Sequence, residues 1–166
     1  MTAPRQRGKP HPVSLCVAIA AAVALFGAPA AVCAQTPKPL VVNPHTGLAI
    51  SGFDPVAYFT DNTPRVGRAD LEFSFDGSVW RFVNEGDRAA FVEHPDIYAP
   101  RFGGYDPVAI GRGVSVPGHP LFWVVAGERL YLFYDEAARE EFLADPGGVI
   151  ERATLKWPSV ASAIAR

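Results

Sequence analysis

The sequence predicts a small α+β domain made of two internally repeated β-hairpin-plus-helix units packed about a pseudo-twofold. Three observations predict it. Asp54-Pro55-Val56-Ala57 returns as Asp106-Pro107-Val108-Ala109, and Asn84, Arg88, Phe91 and Pro95 are matched by Asp135, Arg139, Phe142 and Pro146, all at a spacing of about 50 to 52 residues. Leu71, Phe73 and Phe75 alternate with polar residues, the period of a half-buried strand, and run into Asp76-Gly77, which suits a tight hairpin turn. A lone hairpin with one helix cannot cover its apolar face, whereas two copies can bury each other.

The elements follow in chain order. Arg5, Arg7 and Lys9 form a basic head, Val13 to Ala28 an apolar run of about 16 residues, and Ala34 with Val32 a small-residue exit. Residues 1–34 are therefore expected to be a secretory signal peptide. The alternative is an uncleaved anchor, for which the run is short of the roughly 20 residues a spanning helix needs. Bulky Val32 argues against a lipobox at Cys33, and Arg5 and Arg7 are not the adjacent pair of a twin-arginine signal. Cleavage removes both cysteines, Cys16 and Cys33, so the product is expected to be held by its core without disulfides. It also takes the formal charge from −2 to −5, which disfavours nucleic acid as a partner.

Residues 35–44 read as a flexible leader and residues 45–158 as the domain. Val79 to Val83 returns as the second strand. Asn84 can cap a helix with Asp87 three residues on, carrying Ala90, Phe91 and Val92 inward until Pro95 stops it. In the second copy Leu121 to Ala126 and Arg129 to Tyr134 form the hairpin, Asp135 caps, Phe142 and Leu143 pack, and Pro146 terminates. A last helix is expected from Gly148 to Lys156, burying Val149, Ala153 and Trp157 at i, i+4 and i+8. Trp80, Phe82, Trp123, Tyr131 and Phe133 suit one shared core, and residues 159–166 read as a frayed tail.

From Gly52-Phe53-Asp54-Pro55-Val56-Ala57-Tyr58-Phe59 onward the chain resembles the YHS-domain family. The likeness runs through Phe91, His94-Pro95, Tyr98-Ala99-Pro100, Gly103-Gly104-Tyr105, Tyr131-Leu132, Tyr134 and Trp157-Pro158. It is similar to the exported, stand-alone members that carry a signal peptide. The resemblance implies the fold and a link to metals, since cysteines are thought to hold metal in related domains. The sequence departs there: the positions where relatives have cysteine are Ala57 and Asp106, so a thiolate site for a soft metal is missing.

The residues that can carry chemistry are few. Asp54 and Asp106, related by the repeat, could face each other and bind a divalent cation or share a proton; the plainer reading is turn chemistry, since Asp before Pro bonds its own backbone. Tyr58 and Tyr105, with Tyr98 and the permissive Gly103-Gly104, could line a small aromatic pocket, or could be core tyrosines with satisfied hydroxyls. His94 and His119 are weak metal candidates, and with His45 they share no short ligand spacing. No Gly-x-Ser-x-Gly elbow, phosphate loop, dinucleotide fingerprint or His-Glu-x-x-His motif occurs.

The expectation is an exported domain, periplasmic or secreted, that binds without catalysis or acts as an accessory. Its ligand would be a small molecule near Asp54, Tyr58, Tyr105 and Asp106, or a divalent metal ion held by oxygen and nitrogen. The alternatives are a protein-interaction module of the cell envelope and an enzyme using Asp54 or Asp106 as acid or base. Contact with a membrane is expected only through the signal peptide.

Overall fold

Two hairpins, each preceded by a left-handed turn and a short helix and followed by longer helices, make up the computed structural model, which describes Thr2 and residues 39–165. Apart from Thr2, the segment expected to be a signal peptide, with both cysteines, and the first residues of the expected leader lie outside the described residues. In chain order the first copy holds α1 (Ala57–Thr60), β1 (Arg68–Phe75), β2 (Ser78–Phe82), α2 (Glu85–Glu93) and α3 (Pro95–Tyr98). The second holds α4 (Pro107–Gly111), β3 (His119–Ala126), β4 (Arg129–Phe133), α5 (Glu136–Ala144) and α6 (Pro146–Ile164). The strands form two separate antiparallel pairs, β1 with β2 and β3 with β4. The domain is thus α+β, with two hairpins each followed by helices.

The repeat extends to details that sequence matching did not reach. In the first hairpin Arg68 pairs with Phe82 and Glu72 with Arg81, so residues 69–71 bulge out; in the second His119 pairs with Phe133 and Trp123 with Leu132, with the same bulge 51 residues later. Gly67 and Gly118 sit at the entry to each bulge. A Cβ on Gly67 would strike the Arg81 backbone, and one on Gly118 would lie 2.6 Å from the Gly104 carbonyl oxygen. Before each Asp-Pro-Val-Ala run the chain makes a left-handed turn, with positive φ at Ile50, Ser51 and Gly52 and again at Phe102, Gly103 and Gly104. That conformation costs an L-residue about 1–2 kcal/mol. Burial of the Ile50 and Phe102 side chains, and hydrogen bonds from Gly67 N–H to Gly52 O (2.9 Å) and Gly118 N–H to Gly104 O (3.0 Å), offset it.

Asn84 and Asp135 cap the helices the sequence assigns them, and Asp145 adds a cap not expected from the sequence. The Asn84 side chain accepts from Asp87 N–H (2.8 Å), Asp135 from Ala138 N–H (2.9 Å) and Asp145 from Gly148 N–H (2.9 Å). Pro95 and Pro146 each follow the end of one helix and open the next, where a missing N–H costs nothing. Phe91 and Phe142 are fully buried, but Val92 and Leu143, expected inward, are about half exposed: one step of 100° carries them off the core face.

Each copy has its own interior. Ile50, Val56, Tyr58, Leu71, Trp80, Phe82 and Phe91 in the first correspond to Phe102, Val108, Ile110, Phe122, Tyr131, Phe133 and Phe142 in the second. The single shared core expected from the sequence is therefore replaced by two in series. Trp123, Val125, Leu130 and Leu132, on the back of the second hairpin, close the first core, while Val149, Ala153, Trp157 and Val160 of α6 close the second. The first hairpin's back faces water, and the counterparts of Trp123 and Leu132 there are Glu72 and Arg81, paired across the strands at 2.9 Å.

Both ends of the domain are more ordered than expected. Val41 N–H donates to Gly103 O (2.8 Å) and Ile50 N–H to Val41 O (3.0 Å), which ties the end of the leader between the two left-handed turns. The last helix starts two residues earlier than Gly148 and runs on through Pro158 to Ile164, so residues 159–164 are helical rather than frayed. Val160 is buried and Ile164 packs on the second core, extending the stripe set by Val149, Ala153 and Trp157. Among the described residues no helix is long and apolar enough to cross a membrane.

Candidate ligand-binding cleft

The two repeated aspartates act as clasps. Asp54 Oδ1 accepts from Val56 N–H (2.8 Å) and Ala57 N–H (3.4 Å), and Oδ2 accepts from Val83 N–H (2.7 Å). Asp106 repeats this with Val108 (2.8 Å), Ala109 (3.4 Å) and Tyr134 (3.0 Å). Each carboxyl thus ties the Asp-Pro-Val-Ala turn to the end of its own hairpin, and Asp54 also meets the Asp87 side chain of the same copy in a hydrogen bond. Asp54 has no exposed surface and Asp106 almost none, so the turn-chemistry reading describes what their oxygens do.

Their electrostatics differ for a local reason. Burial raises the Asp54 carboxyl to about 6, against the backbone donors Val83 and Val56, and the neighbouring Asp87 carboxyl pushes it the same way. Asp106 is also raised by burial, held down by its three backbone donors, with Asp135 adding a weaker push upward. The second-copy counterpart of Asp87 is Ala138, so only Asp54 has a second buried carboxyl beside it.

The remaining sequence candidates are dispersed. Tyr58 is buried; its hydroxyl donates to Pro120 O (3.0 Å), and its ring meets Trp123 edge-on at 5.2 Å, which makes it a pin between the copies. Burial raises its hydroxyl well above the usual tyrosine range. Tyr105 is half-buried, 6.1 Å from the Trp157 ring, and is raised by burial. His94 ends α2, exposed, 3.7 Å from Glu93 Oε1. His119 is exposed, its Nδ1 accepting from Leu121 N–H (3.2 Å). Among the described residues no three His, Cys, Asp or Glu side chains gather as a metal site would require. Asp106 lines a hollow of about 270 Å³ with Arg112, Tyr134, Asp135 and Glu141, but its own oxygens are already taken.

A different place has the form of a binding site. A cleft of about 550 Å³ opens where the first hairpin, the Pro95–Gly103 stretch, α6 and the tied leader meet. Phe75, Trp80, Phe102 and Trp157 give it aromatic walls, Pro39 and Leu40 form one side, and Asp76, Asp96 and Arg101 bring charge to it. The left-handed turn shapes that side: a Cβ on Gly103 would collide with the Pro39 carbonyl, so only glycine lets the leader pass this close. The Trp80 indole N–H is committed to Phe75 O (3.2 Å). Arg101 lies over the Phe102 ring at 5.5 Å and beside the Tyr131 hydroxyl.

Sequence reasoning missed this cleft. Asp76 read as turn chemistry and Trp157 as core; the one available signal was a charged Arg101 set between Pro100 and Phe102 in an otherwise apolar run. Comparison with known protein families, with curated proteins and with solved structures found no match to this chain.

Proposed function

We propose that this chain is an exported domain of the YHS type that works by binding rather than by catalysis, and that it takes a small organic molecule into the cleft between Trp80, Phe102 and Trp157. The observation that carries the reading is the cleft: about 550 Å³, walled by aromatic rings from both copies and α6, with a few charged groups. Concave sites of 300–1,000 Å³ with an apolar lining and few polar groups are the usual form of small-molecule sites. The buried carboxylates support binding over acid–base chemistry, because backbone donors occupy the oxygens of Asp54 and Asp106. Residues matching the exported YHS-like members lie along the cleft at Pro95, Ala99, Pro100, Gly103 and Trp157.

The test is a thermal-shift screen of small aromatic compounds, read in parallel by tryptophan fluorescence, since two of the three tryptophans line the cleft. Compounds that bind raise the midpoint and perturb the emission, and Ala161→Phe, which fills the cleft from α6, abolishes both effects. If no compound raises the midpoint, or Ala161→Phe leaves binding unchanged, the reading is wrong. Elemental analysis of the purified protein addresses a metal ligand, which this reading expects to be absent at stoichiometric levels.

A further inference from the structure

We infer that the cleft selects an organic cation: an amine or quaternary ammonium group carried on an apolar or aromatic body. The inference rests on the cleft being the binding site and adds the chemical class of its ligand.

Charge is the first ground. Asp76, at the tip of the β1–β2 turn, and Asp96, in the first turn of α3, both line the cleft. Both are exposed, and neither forms an ion pair or side-chain hydrogen bond among the described residues. Among the described residues the one cation lining the cleft is Arg101, which lies over the Phe102 ring and beside the Tyr131 hydroxyl. Two carboxylates against one guanidinium leave the described lining of the cleft one charge negative, within a chain whose formal charge is −2.

The walls are the second ground. Of the four aromatic residues lining the cleft, Phe75 and Trp157 are partly exposed to it, whereas Trp80 and Phe102 are buried behind them and Arg101 already lies over the Phe102 ring. Trp80 forms the floor, its N–H spent on the Phe75 carbonyl, so the exposed indole of the lining is that of Trp157. Ring faces carry negative quadrupole charge and attract ammonium groups, Trp best of all. An anionic ligand would meet two carboxylates and these faces; a cation is favoured by both.

Three probes of similar size separate the possibilities: benzyltrimethylammonium, benzyl alcohol and phenylacetate, titrated into the purified protein by calorimetry and tryptophan fluorescence. The cation is expected to bind at least about tenfold more tightly than the other two, and added salt to weaken it. Asp76→Asn with Asp96→Asn is expected to bring the cation down to the affinity of benzyl alcohol while benzyl alcohol binds as before, which shows the cleft intact. Asn is well suited to the positive φ of 50° at position 76, so this variant keeps its turn. Equal binding of all three probes, or no loss in the double variant, overturns the cation assignment and leaves the cleft as the site. Preferential binding of phenylacetate that Arg101→Gln removes also overturns the assignment alone. Failure of all three probes to bind, or cation binding that survives Ala161→Phe, overturns the cleft reading itself.

Discussion

Replacing Asp54 with alanine is expected to destabilise the domain by an amount that depends on pH in a stated direction. The substitution deletes the acceptor of two short buried bonds, from Val56 N–H at 2.8 Å and Val83 N–H at 2.7 Å. A buried donor left unpaired costs about 1–3 kcal/mol, so the loss is on the order of 2–6 kcal/mol. Against it stands the discomfort of the carboxyl itself, whose folded pKa of about 6 lies above the ordinary 3.8. A group raised on folding contributes stability that is whole below the unfolded value and is lost as pH climbs through the folded one. The wild type therefore loses on the order of 2–3 kcal/mol from this group between about pH 4 and pH 7, and the variant does not. The penalty of Asp54→Ala should be largest below about pH 4, and about 2 kcal/mol larger at pH 4.5 than at pH 8. Urea unfolding of both proteins at several pH values, followed by tryptophan fluorescence, measures it. A penalty that stays constant with pH, or stays below about 1 kcal/mol at pH 4.5, would refute the account of Asp54 as a buried clasp.

Other substitutions probe the remaining joints. Tyr58→Phe leaves the Pro120 carbonyl without its partner and is expected to cost about 1–2 kcal/mol in chemical denaturation, with little change elsewhere. Gly118→Ala forces a Cβ to 2.6 Å from the Gly104 oxygen and 2.7 Å from Leu132 Cβ; a drop in midpoint of several degrees or failure to fold is expected, and wild-type stability would contradict the close approach. Pro158→Ala restores a helical N–H in the middle of α6 and is expected to raise stability by about 1 kcal/mol or more, seen as a higher thermal midpoint.

Much of the fold was legible because it is written in local rules. Asn84 and Asp135 announce caps, Asp76-Gly77 announces a turn with positive φ at both residues, and the repeat locates the second copy once the first is read. What stayed hidden depends on contacts between distant segments. Residue types gave no warning that Ile50 and Phe102 turn left-handed, since neither favours that region; it is held by their burial and by bonds to Gly67 and Gly118. The depth of the second hairpin could have been read: Leu121 to Val125 and Leu130 to Phe133 are unbroken apolar runs, the mark of a strand covered on both faces, whereas β1 alternates. The helical tail follows from Val160 and Ile164 continuing the apolar stripe past Pro158, which the rule against proline in helices conceals. For the site, Asp54, Tyr58 and Asp106 were singled out for their chemistry, and the structure employs them as fasteners. The cleft residues run from Pro39 to Ala161, and no local pattern joins them.

The ion pair between Glu72 and Arg81 has a consequence for self-assembly. The same two lattice points in the second hairpin carry Trp123 and Leu132, and there they glue one copy to the other. Charge at the first pair declares the stack finished. A chain given tryptophan at 72 and leucine at 81 would display an adhesive outer sheet, and two such molecules would clasp back to back, a doubling of mass that sedimentation velocity would register.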